Sequence, residues 1–223
     1  MIYTFWEGTM PAYVQLCLDT WRVGFTLLDF NNLHRYTDVD ITKLGKYSYA
    51  QVSDIVRAHV LRDNGGYWID ADTIMLSNEL PETNMIGWPE DRCAHCGYLH
   101  FARRSPFLMN WANEQDKRIN ENADGDWSLF ANGISDFLLE KHPEVRIEER
   151  QRYFPESYMI PLLGTYGQYN KFYFGGSYSL DNIRETPLIM LHNSWTPAYY
   201  KELTKTDVLS SNCTLSKMLK EAL

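Results

Sequence analysis

The spacing of apolar and polar residues predicts alternating strands and helices in the first third of the chain. Residues 1–6 form a short apolar run that is typical of a buried strand. A polar turn follows, and apolar positions three and four apart then predict a helix from about Pro11 to Trp21. A second strand is predicted near Phe25 to Phe30. This order of strand, turn, helix and strand predicts a parallel α/β unit.

The clearest predicted helix runs from Tyr49 to Asn64. Ser48 can cap its N-terminus, and Gln51 stands three residues later, which is the spacing of a capping box. Asn64-Gly65-Gly66 can end it with a left-handed residue. Its predicted buried face carries four aliphatic residues, Val52, Ile55, Val56 and Val60.

Two carboxylates follow a short apolar strand, Tyr67-Trp68-Ile69. Asp70 and Asp72 are separated only by Ala71, so on an extended segment they point to the same face. Hard cations such as Mg²⁺ and Mn²⁺ prefer oxygen ligands and leave positions open for phosphate. A lone Asp-x-Asp triplet is more often solvated surface. Here the pair ends a buried strand, where open α/β sheets bind ligands, so we predict a cation site.

Asp54 and Arg57 form a second candidate pair. Their spacing puts them side by side on the predicted helix, away from its aliphatic face. One interpretation is a surface ion pair that contributes little to stability. The other is a pair that hydrogen-bonds the hydroxyl groups of a sugar or a ribose.

The second half of the chain has a less regular pattern. We predict a helix from Trp127 to Lys141, and loops or short strands from Tyr166 to Tyr178. Pro187 to Leu191 reads as another short strand, again followed by polar residues. Thr214 to Leu223 is predicted to be an amphipathic helix that docks on the core.

Composition and charge narrow the class of protein. The chain has 223 residues, 44% of them hydrophobic, which suits one domain or two lobes with a shared core. The net charge of -8 argues against nucleic acid as the main partner. No apolar run reaches the roughly 20 residues of a membrane span. The first residues do not resemble a signal peptide, so the expected location is the cytoplasm, with at most peripheral membrane contact.

The cysteines do not predict a metal centre. Cys93 and Cys96 form the only close pair, and no second pair of ligands at similar spacing completes a structural zinc site. A zinc deaminase would also need a His-x-Glu element, which is absent. We therefore expect reduced cysteines in a loop.

Two stretches, Gln51 to Arg57 and Asn64 to Asp72, together with Leu61 between them, resemble the signature of glycosyltransferase family 32. This family includes bacterial capsular-polysaccharide sugar transferases and yeast initiating mannosyltransferases. The chain is also similar to the catalytic domain of the large clostridial glucosylating toxins. The segments Ile2 to Gly8 and His192 to Trp195 resemble the family's first strand and its C-terminal His/Ser-Trp element. Residues 85–180 match weakly.

The resemblance implies an α/β fold of the GT-A type, Rossmann-like, with a mixed and mostly parallel sheet flanked by helices. It implies one domain over residues 1–223, with a nucleotide-sugar half in 1–100 and an acceptor half in 101–223. The implied reaction moves a hexose from a nucleotide-diphosphate sugar, with a UDP-sugar expected, to a glycan or lipid-linked saccharide. It also implies Mn²⁺ or Mg²⁺ as cofactor and retention of the anomeric configuration.

The resemblance also implies roles for particular residues. Asp72 would bind the metal ion directly, and Asp70 would reach the ribose, or the metal through water. Asp54 and Arg57 would hold hydroxyl groups of the donor sugar. His192 or a neighbour would complete the metal shell, although a capped strand end explains this histidine equally well. The remaining implied donor contacts are Phe5 and Trp6 at the nucleobase, Asn31 or Asn32 near the donor, and Ser194 and Trp195 at the diphosphate.

Two other functions stay open at the level of sequence. One is a catalytically silent module of the same fold that binds a nucleotide sugar or a carbohydrate. The intact set of Asp54, Arg57, Asp70 and Asp72 favours an enzyme over such a module. The other is a phosphoryl-transfer enzyme or hydrolase, which the lack of a glycine-rich phosphate loop and of a Ser/His/Asp arrangement disfavours.

Overall fold

A computed structural model describes residues 1–150, 153, 166–176, 178–180 and 186–223. The chain divides into two compact units, each assembled from separate stretches of sequence. The first unit consists of Met1–Gly8, Gly24–Asp70 and Glu82–Arg150. The second unit consists of Thr9–Val23, Ala71–Pro81 and the described residues beyond 150. Strands and helices are numbered below in chain order across both units.

The first unit contains a six-stranded mixed sheet with helices packed against it. Its strands are β1 (Ile2–Phe5), β2 (Phe25–Leu28), β3 (Gly66–Ile69), β5 (Met85–Trp88), β6 (Cys93–Phe101) and β7 (Ile147–Glu149). Its helices are α2 (Tyr49–Asn64), α3 (Pro106–Asn120) and α4 (Asn132–Leu139), with short 3₁₀ turns at Leu33–Arg35 and Ile41–Lys43.

The strand order of this sheet is β2-β1-β3-β6-β5-β7. β1 runs parallel to β2 and β3, and β5 runs parallel to β7, whereas β6 is antiparallel to both of its neighbours. Most strand pairs are therefore parallel. The prediction of an α/β fold with a mixed, mostly parallel sheet flanked by helices is confirmed.

The second unit is built around a small antiparallel sheet of β4 and β8. Its elements are α1 (Ala12–Asp19), β4 (Thr73–Met75), α5 (Tyr166–Tyr173), β8 (Leu188–Met190), α6 (Ala198–Lys201), α7 (Lys205–Ser210) and α8 (Thr214–Ala222). A 3₁₀ turn, Asn193–Trp195, follows β8. The terminal helix buries its apolar face as predicted, through Leu215, Met218, Leu219 and Ala222.

Helix α2 forms for the reasons its sequence suggested. The Ser48 hydroxyl accepts a hydrogen bond from the Gln51 N–H, and the Gln51 side chain accepts one from the Ser48 N–H. At its other end Gly65 has a φ of 69°, which favours glycine. A Cβ atom there would lie 2.5 Å from the backbone nitrogen of Arg103. The glycine is therefore needed both for the turn and for the close approach of the backbone at Arg103.

Two predictions about the second half were wrong. The helix predicted from Trp127 starts only at Asn132, because Asp126 accepts hydrogen bonds from the N–H and hydroxyl of Ser128 and closes a turn. The segment from Tyr166, predicted as loops or short strands, is helical through Tyr173. The helix buries three aromatic rings at helical spacing, Tyr169, Phe172 and Tyr173.

The cysteine pair lies in strand β6 and not in a loop, which corrects that prediction. All four cysteines are free. Burial raises the pKa of Cys96 to about 12, so its thiol stays protonated.

Among the described residues, no group of three His, Cys, Asp or Glu side chains is placed to hold a metal ion. Within the same part of the chain, no helix is long and apolar enough to cross a membrane.

Candidate functional site

Arg57 of the first unit lies at the centre of a buried polar cluster. Its Nη2 atom is 2.9 Å from Asp54 Oδ1 and 3.3 Å from Asp70 Oδ1. Its Nη1 atom donates a hydrogen bond to the backbone carbonyl of Cys96. One guanidinium group therefore binds two carboxylates and a carbonyl, and it links helix α2 to the C-terminal end of strand β3.

The interpretation of Asp54 and Arg57 as a surface ion pair was wrong. Asp54 is 8% exposed and Arg57 is 5% exposed. Their spacing places both away from the aliphatic face of α2, as predicted, but Arg57 meets the Cys96 carbonyl of strand β6 there. Gln115 of α3 donates a hydrogen bond of 2.8 Å to the backbone carbonyl of Asp54. The pair is adjacent, as the spacing predicted, but it is enclosed by protein.

The charges in this cluster are unequal, because one arginine faces two carboxylates. Burial raises the pKa of Asp54 to about 7, the Arg57 guanidinium lowers it, and the charge of Asp70 raises it further. Burial is thus the main cause of the rise, and the Arg57 guanidinium, which Asp54 shares with Asp70, offsets only part of it. Asp54 is thus the group in this cluster most ready to hold a proton.

Trp68 completes the cluster, and the sequence interpretation did not single it out as a site residue. Its indole Nε1 donates a hydrogen bond of 2.8 Å to Asp70 Oδ1. The Arg57 guanidinium lies 5.5 Å from the centroid of its ring, within the range of a cation–π contact. Residues two apart on a strand share a face, so the Trp68-x-Asp70 spacing was the available signal.

The C-terminal end of β1 carries the two residues predicted to flank the nucleobase. Phe5 is buried in the core of the first unit, where its ring meets the edge of Phe30 at 5.7 Å between centroids. Trp6 is half-buried, and its indole N–H has no hydrogen-bond partner among the described residues. Glu7, which the prediction passed over, accepts a hydrogen bond of 2.9 Å from the Phe30 N–H. Of the two predicted rings, Trp6 is the more accessible.

Asn31 and Asn32 form a tight turn at the end of β2. Asp29 Oδ1 accepts hydrogen bonds of 2.9 Å from the N–H groups of both asparagines. The Asn32 side chain in turn accepts from the Asp29 N–H and donates to the Leu27 carbonyl. The Asn31 amide donates to Asp29 Oδ2. Both side chains therefore stabilise the turn itself.

Asp72 belongs to the second unit and is held by a backbone group. It is 8% exposed, and its Oδ2 atom accepts a hydrogen bond of 2.7 Å from the Asn193 N–H. Asn193 begins the 3₁₀ turn after β8, and the Leu191 N–H also bonds the Asp72 carbonyl at 3.3 Å. The segment predicted to complete the metal site thus contacts Asp72 directly, through its backbone.

Tyr13 of helix α1 extends this arrangement. Its hydroxyl donates a hydrogen bond of 2.5 Å to the side-chain oxygen of Asn193. Burial and the charge of Asp72 raise the pKa of Tyr13, so the hydroxyl stays protonated and acts as a donor. Neither Tyr13 nor Asn193 was a predicted site residue, although Asn193 lies inside the predicted C-terminal element.

His192 and Trp195 lie in an aromatic cluster with Tyr169. The His192 ring centroid is 4.5 Å from that of Trp195 and 5.7 Å from that of Tyr169. The His192 N–H donates to the Tyr169 hydroxyl at 3.1 Å. His192 occupies the N-cap position of the 3₁₀ turn, but its side chain makes no capping hydrogen bond. Ser194 is exposed on the same turn.

Comparison with known proteins places the chain in a family. Residues 1–132 match the model of a family described as capsular polysaccharide synthesis protein. The chain belongs to this family. The match spans more than half of the chain and includes Asp54, Arg57, Asp70 and Asp72, whereas the turn at Asn193 lies beyond it.

The description of this family supports a role in polysaccharide synthesis. Among solved structures, the chain is similar to one titled "PaToxG Glycosyltransferase", with 16% identity and a TM-score of 0.47. That likeness covers 65% of this chain and 69% of the other. No curated protein matches the sequence.

The chemistry of the carboxylates in this family member fits a hard divalent cation. Asp70 and Asp72 lie two residues apart in the chain. Their carboxylate oxygens are the type of ligand that such ions prefer. Asp72 Oδ2 meets a neutral amide, which orients the carboxylate without cancelling its charge. Asp70 Oδ1, by contrast, is already bound to Arg57 and Trp68.

Proposed function

We propose that this capsular polysaccharide synthesis protein is a metal-dependent retaining glycosyltransferase of the family 32 type, with a GT-A fold. It transfers a hexose from a nucleotide-diphosphate sugar, with a UDP-sugar expected, to a glycan or a lipid-linked saccharide. The observation that carries the proposal is the Asp72 carboxylate, which ends the Asp-x-Asp motif and is oriented by the Asn193 amide. A carboxylate held in a fixed orientation suits a site for a cation and a diphosphate.

Asp72 would hold Mn²⁺ or Mg²⁺ directly in this proposal, with Asp70 next to it in the chain and His192 as a further candidate ligand. When bound, such a cation neutralises the charge that grows on a departing diphosphate. It also accounts for how a chain with a net charge of -8 could bind a polyanion.

Arg57 and Asp54 take revised roles because both are buried. We assign Arg57 chiefly to orienting Asp70, since its guanidinium contacts Asp70, Asp54 and the Cys96 carbonyl. The Asp54 side chain is 11% exposed, which leaves it able to accept a hydrogen bond from one sugar hydroxyl. Only the edge of the Arg57 guanidinium group would be accessible to the sugar.

Lys201 is a further candidate for the diphosphate. It ends helix α6 in the second unit and is half-buried. Burial lowers the pKa of its ammonium group, while the charge of Asp72 raises it. We assign Lys201 to a phosphate oxygen of the donor.

Retention is proposed mainly from the family resemblance. An inverting enzyme needs a carboxylate base, and double displacement needs a carboxylate nucleophile. Asp54 and Asp70 are bound to Arg57 and Asp72 to a backbone amide, so we expect front-face attack in which the departing phosphate oxygen takes the acceptor's proton. NMR of the first product from an α-linked donor measures this. A β-linked product would overturn retention and direct the search for a base to Asp124, to Asp126, or to residue 185, a glutamate that lies outside the described residues.

A screen of nucleotide sugars with Mn²⁺ tests the proposed function. The readout is free nucleotide released without acceptor, in the wild type, in Asp72→Asn and in Asp19→Asn. Asp19 is a matched control, because it is an aspartate of the second unit whose partner is the exposed Lys205. Slow hydrolysis in the wild type and Asp19→Asn, and its loss in Asp72→Asn, would support the transferase. Binding without release would support a silent module, and release of inorganic phosphate a hydrolase.

A further inference from the structure

Asn193 is held at two points, and each point involves a different segment of the second unit. Its backbone N–H donates to Asp72 Oδ2 at 2.7 Å, and its side-chain oxygen accepts from the Tyr13 hydroxyl at 2.5 Å. Tyr13 lies on α1 and Asp72 immediately precedes β4. One residue of the 3₁₀ turn therefore connects a buried tyrosine to the carboxylate.

Tyr13 stands at one end of this series of hydrogen bonds and is held firmly by packing. The tyrosine has no solvent exposure, and its ring lies 5.9 Å from that of Tyr200. A buried hydroxyl needs a hydrogen-bond partner, and the Asn193 side chain supplies one. Because the ring is packed, the position of its hydroxyl is determined by the core of the second unit.

We propose that Tyr13 is a positioning residue for Asp72, acting through Asn193. By holding the Asn193 side chain, Tyr13 fixes the direction of the Asn193 N–H, and this N–H fixes Asp72 Oδ2. Fixing one oxygen of a carboxylate also sets the direction of the other. The inference rests on the proposed function, in which Asp72 holds the cation and the diphosphate. Groups that orient a metal ligand typically change metal affinity or activity by about 10- to 100-fold when they are lost.

The test compares two tyrosine-to-phenylalanine variants. Tyr13→Phe removes only the hydroxyl group that donates a hydrogen bond to the Asn193 side chain. Tyr200→Phe is the control, since Tyr200 is equally buried and its hydroxyl lies 2.8 Å from Ser216 Oγ. Calorimetry with Mn²⁺ and UDP measures binding, and urea unfolding measures stability. We expect Tyr13→Phe to weaken Mn²⁺-dependent UDP binding about 10-fold, and Tyr200→Phe to leave binding unchanged.

Asn193→Ala provides a second variant in case Tyr13→Phe does not fold. It keeps the N–H that bonds Asp72 but loses the side chain that bonds Tyr13, so we expect the same loss of binding. If both Tyr13→Phe and Asn193→Ala bind Mn²⁺ and UDP like the wild type, the positioning role is overturned. Asp72→Asn separates this result from a failure of the proposed function. If Asp72→Asn bound Mn²⁺ and UDP like the wild type, the proposed function would be refuted. If Asp72→Asn lost this binding while Tyr13→Phe kept it, only the positioning role would be refuted.

Discussion

Asp70 and Asp72 stand two residues apart in the chain, yet they are held by different chemistry. Asp70, in the first unit, receives the Arg57 guanidinium and the Trp68 indole N–H. Asp72, in the second unit, receives the backbone N–H of Asn193. Asp70 is thus held partly by an ion pair, whereas the contact of Asp72 with Asn193 is a hydrogen bond from a neutral amide.

This difference separates stability from ligand binding. Removing one member of a buried ion pair leaves an uncompensated charge, so the Arg57 cluster should chiefly determine the stability of the first unit. Asp72 is the proposed direct ligand of the cation, so Asp72 should chiefly determine turnover. Changes at the two places should therefore give opposite patterns of activity loss and stability loss.

Asp72→Asn should have the largest effect of all. We expect turnover with Mn²⁺ to fall about 100- to 1000-fold, the range seen when one group that stabilises developing charge is removed. Unfolding in urea should change by less than about 1 kcal/mol, since asparagine still offers an oxygen to the Asn193 N–H. Full activity in the presence of Mn²⁺ would refute the metal assignment.

Arg57→Ala should have the opposite pattern. Asp54 would remain buried without its cation, which should lower the free energy of unfolding by about 3–5 kcal/mol. Arg35→Ala is the control, because Arg35 is exposed in the same unit, and it should change stability by at most about 0.5 kcal/mol. Urea unfolding of both variants measures these changes in the free energy of unfolding. An Arg57→Ala protein as stable as the control would show that the cluster is not structural.

The pH dependence of stability tests the burial of Asp54 beside Arg57. The carboxyl of an unfolded aspartate titrates near about 3.9, while the pKa of folded Asp54 is about 7, so the folded protein holds this proton more tightly. The resulting stability is fully present below about pH 4 and is lost as the pH rises through about 7. Asp54→Asn stays neutral, so its stability relative to the wild type should rise over this range by roughly 2–4 kcal/mol.

Urea unfolding at several pH values measures this difference, with Asp40→Asn as a control of opposite sign. The hydrogen bonds from Thr42 lower the pKa of Asp40, so its contribution is lost as the pH falls. If the difference between Asp54→Asn and the wild type were constant with pH, Asp54 would be ionised throughout. Arg57 would then compensate both carboxylates.

Lys201→Met should have the smallest effect. The ammonium group is only partly buried, so stability should change by at most about 0.5 kcal/mol. If Lys201 binds a phosphate oxygen, the KM for the donor should rise up to about 5-fold with little change in kcat, as for a partly exposed charge pair. Lys205→Met, which removes a lysine paired with Asp19, is the control. Equal KM values in the two variants would remove Lys201 from the site.

The features that the sequence predicted well depend on neighbours in the chain. The capping box of Ser48 and Gln51, the stop at Gly65 and the placement of Asp70 at the end of β3 all arise within a few residues. The helix predicted from Trp127 failed for a local reason as well, since the Asp126–Ser128 turn outweighed the apolar periodicity. The burial of Asp54 and Arg57 could not be predicted, because Arg57 contacts groups far along the chain, such as the Cys96 carbonyl 39 residues away.

By itself, the sequence determined that this chain has an α/β fold with two carboxylates following strand β3, because periodicity and capping are properties of short segments. Only the tertiary structure decided what holds each carboxylate. Asp72 meets Asn193 from 121 residues away, and Asn193 meets Tyr13 across 180 residues. Hydrogen bonds form between groups that packing brings within about 3 Å, whatever their separation in sequence. The partner of a polar side chain is therefore set by the packing of the core around it.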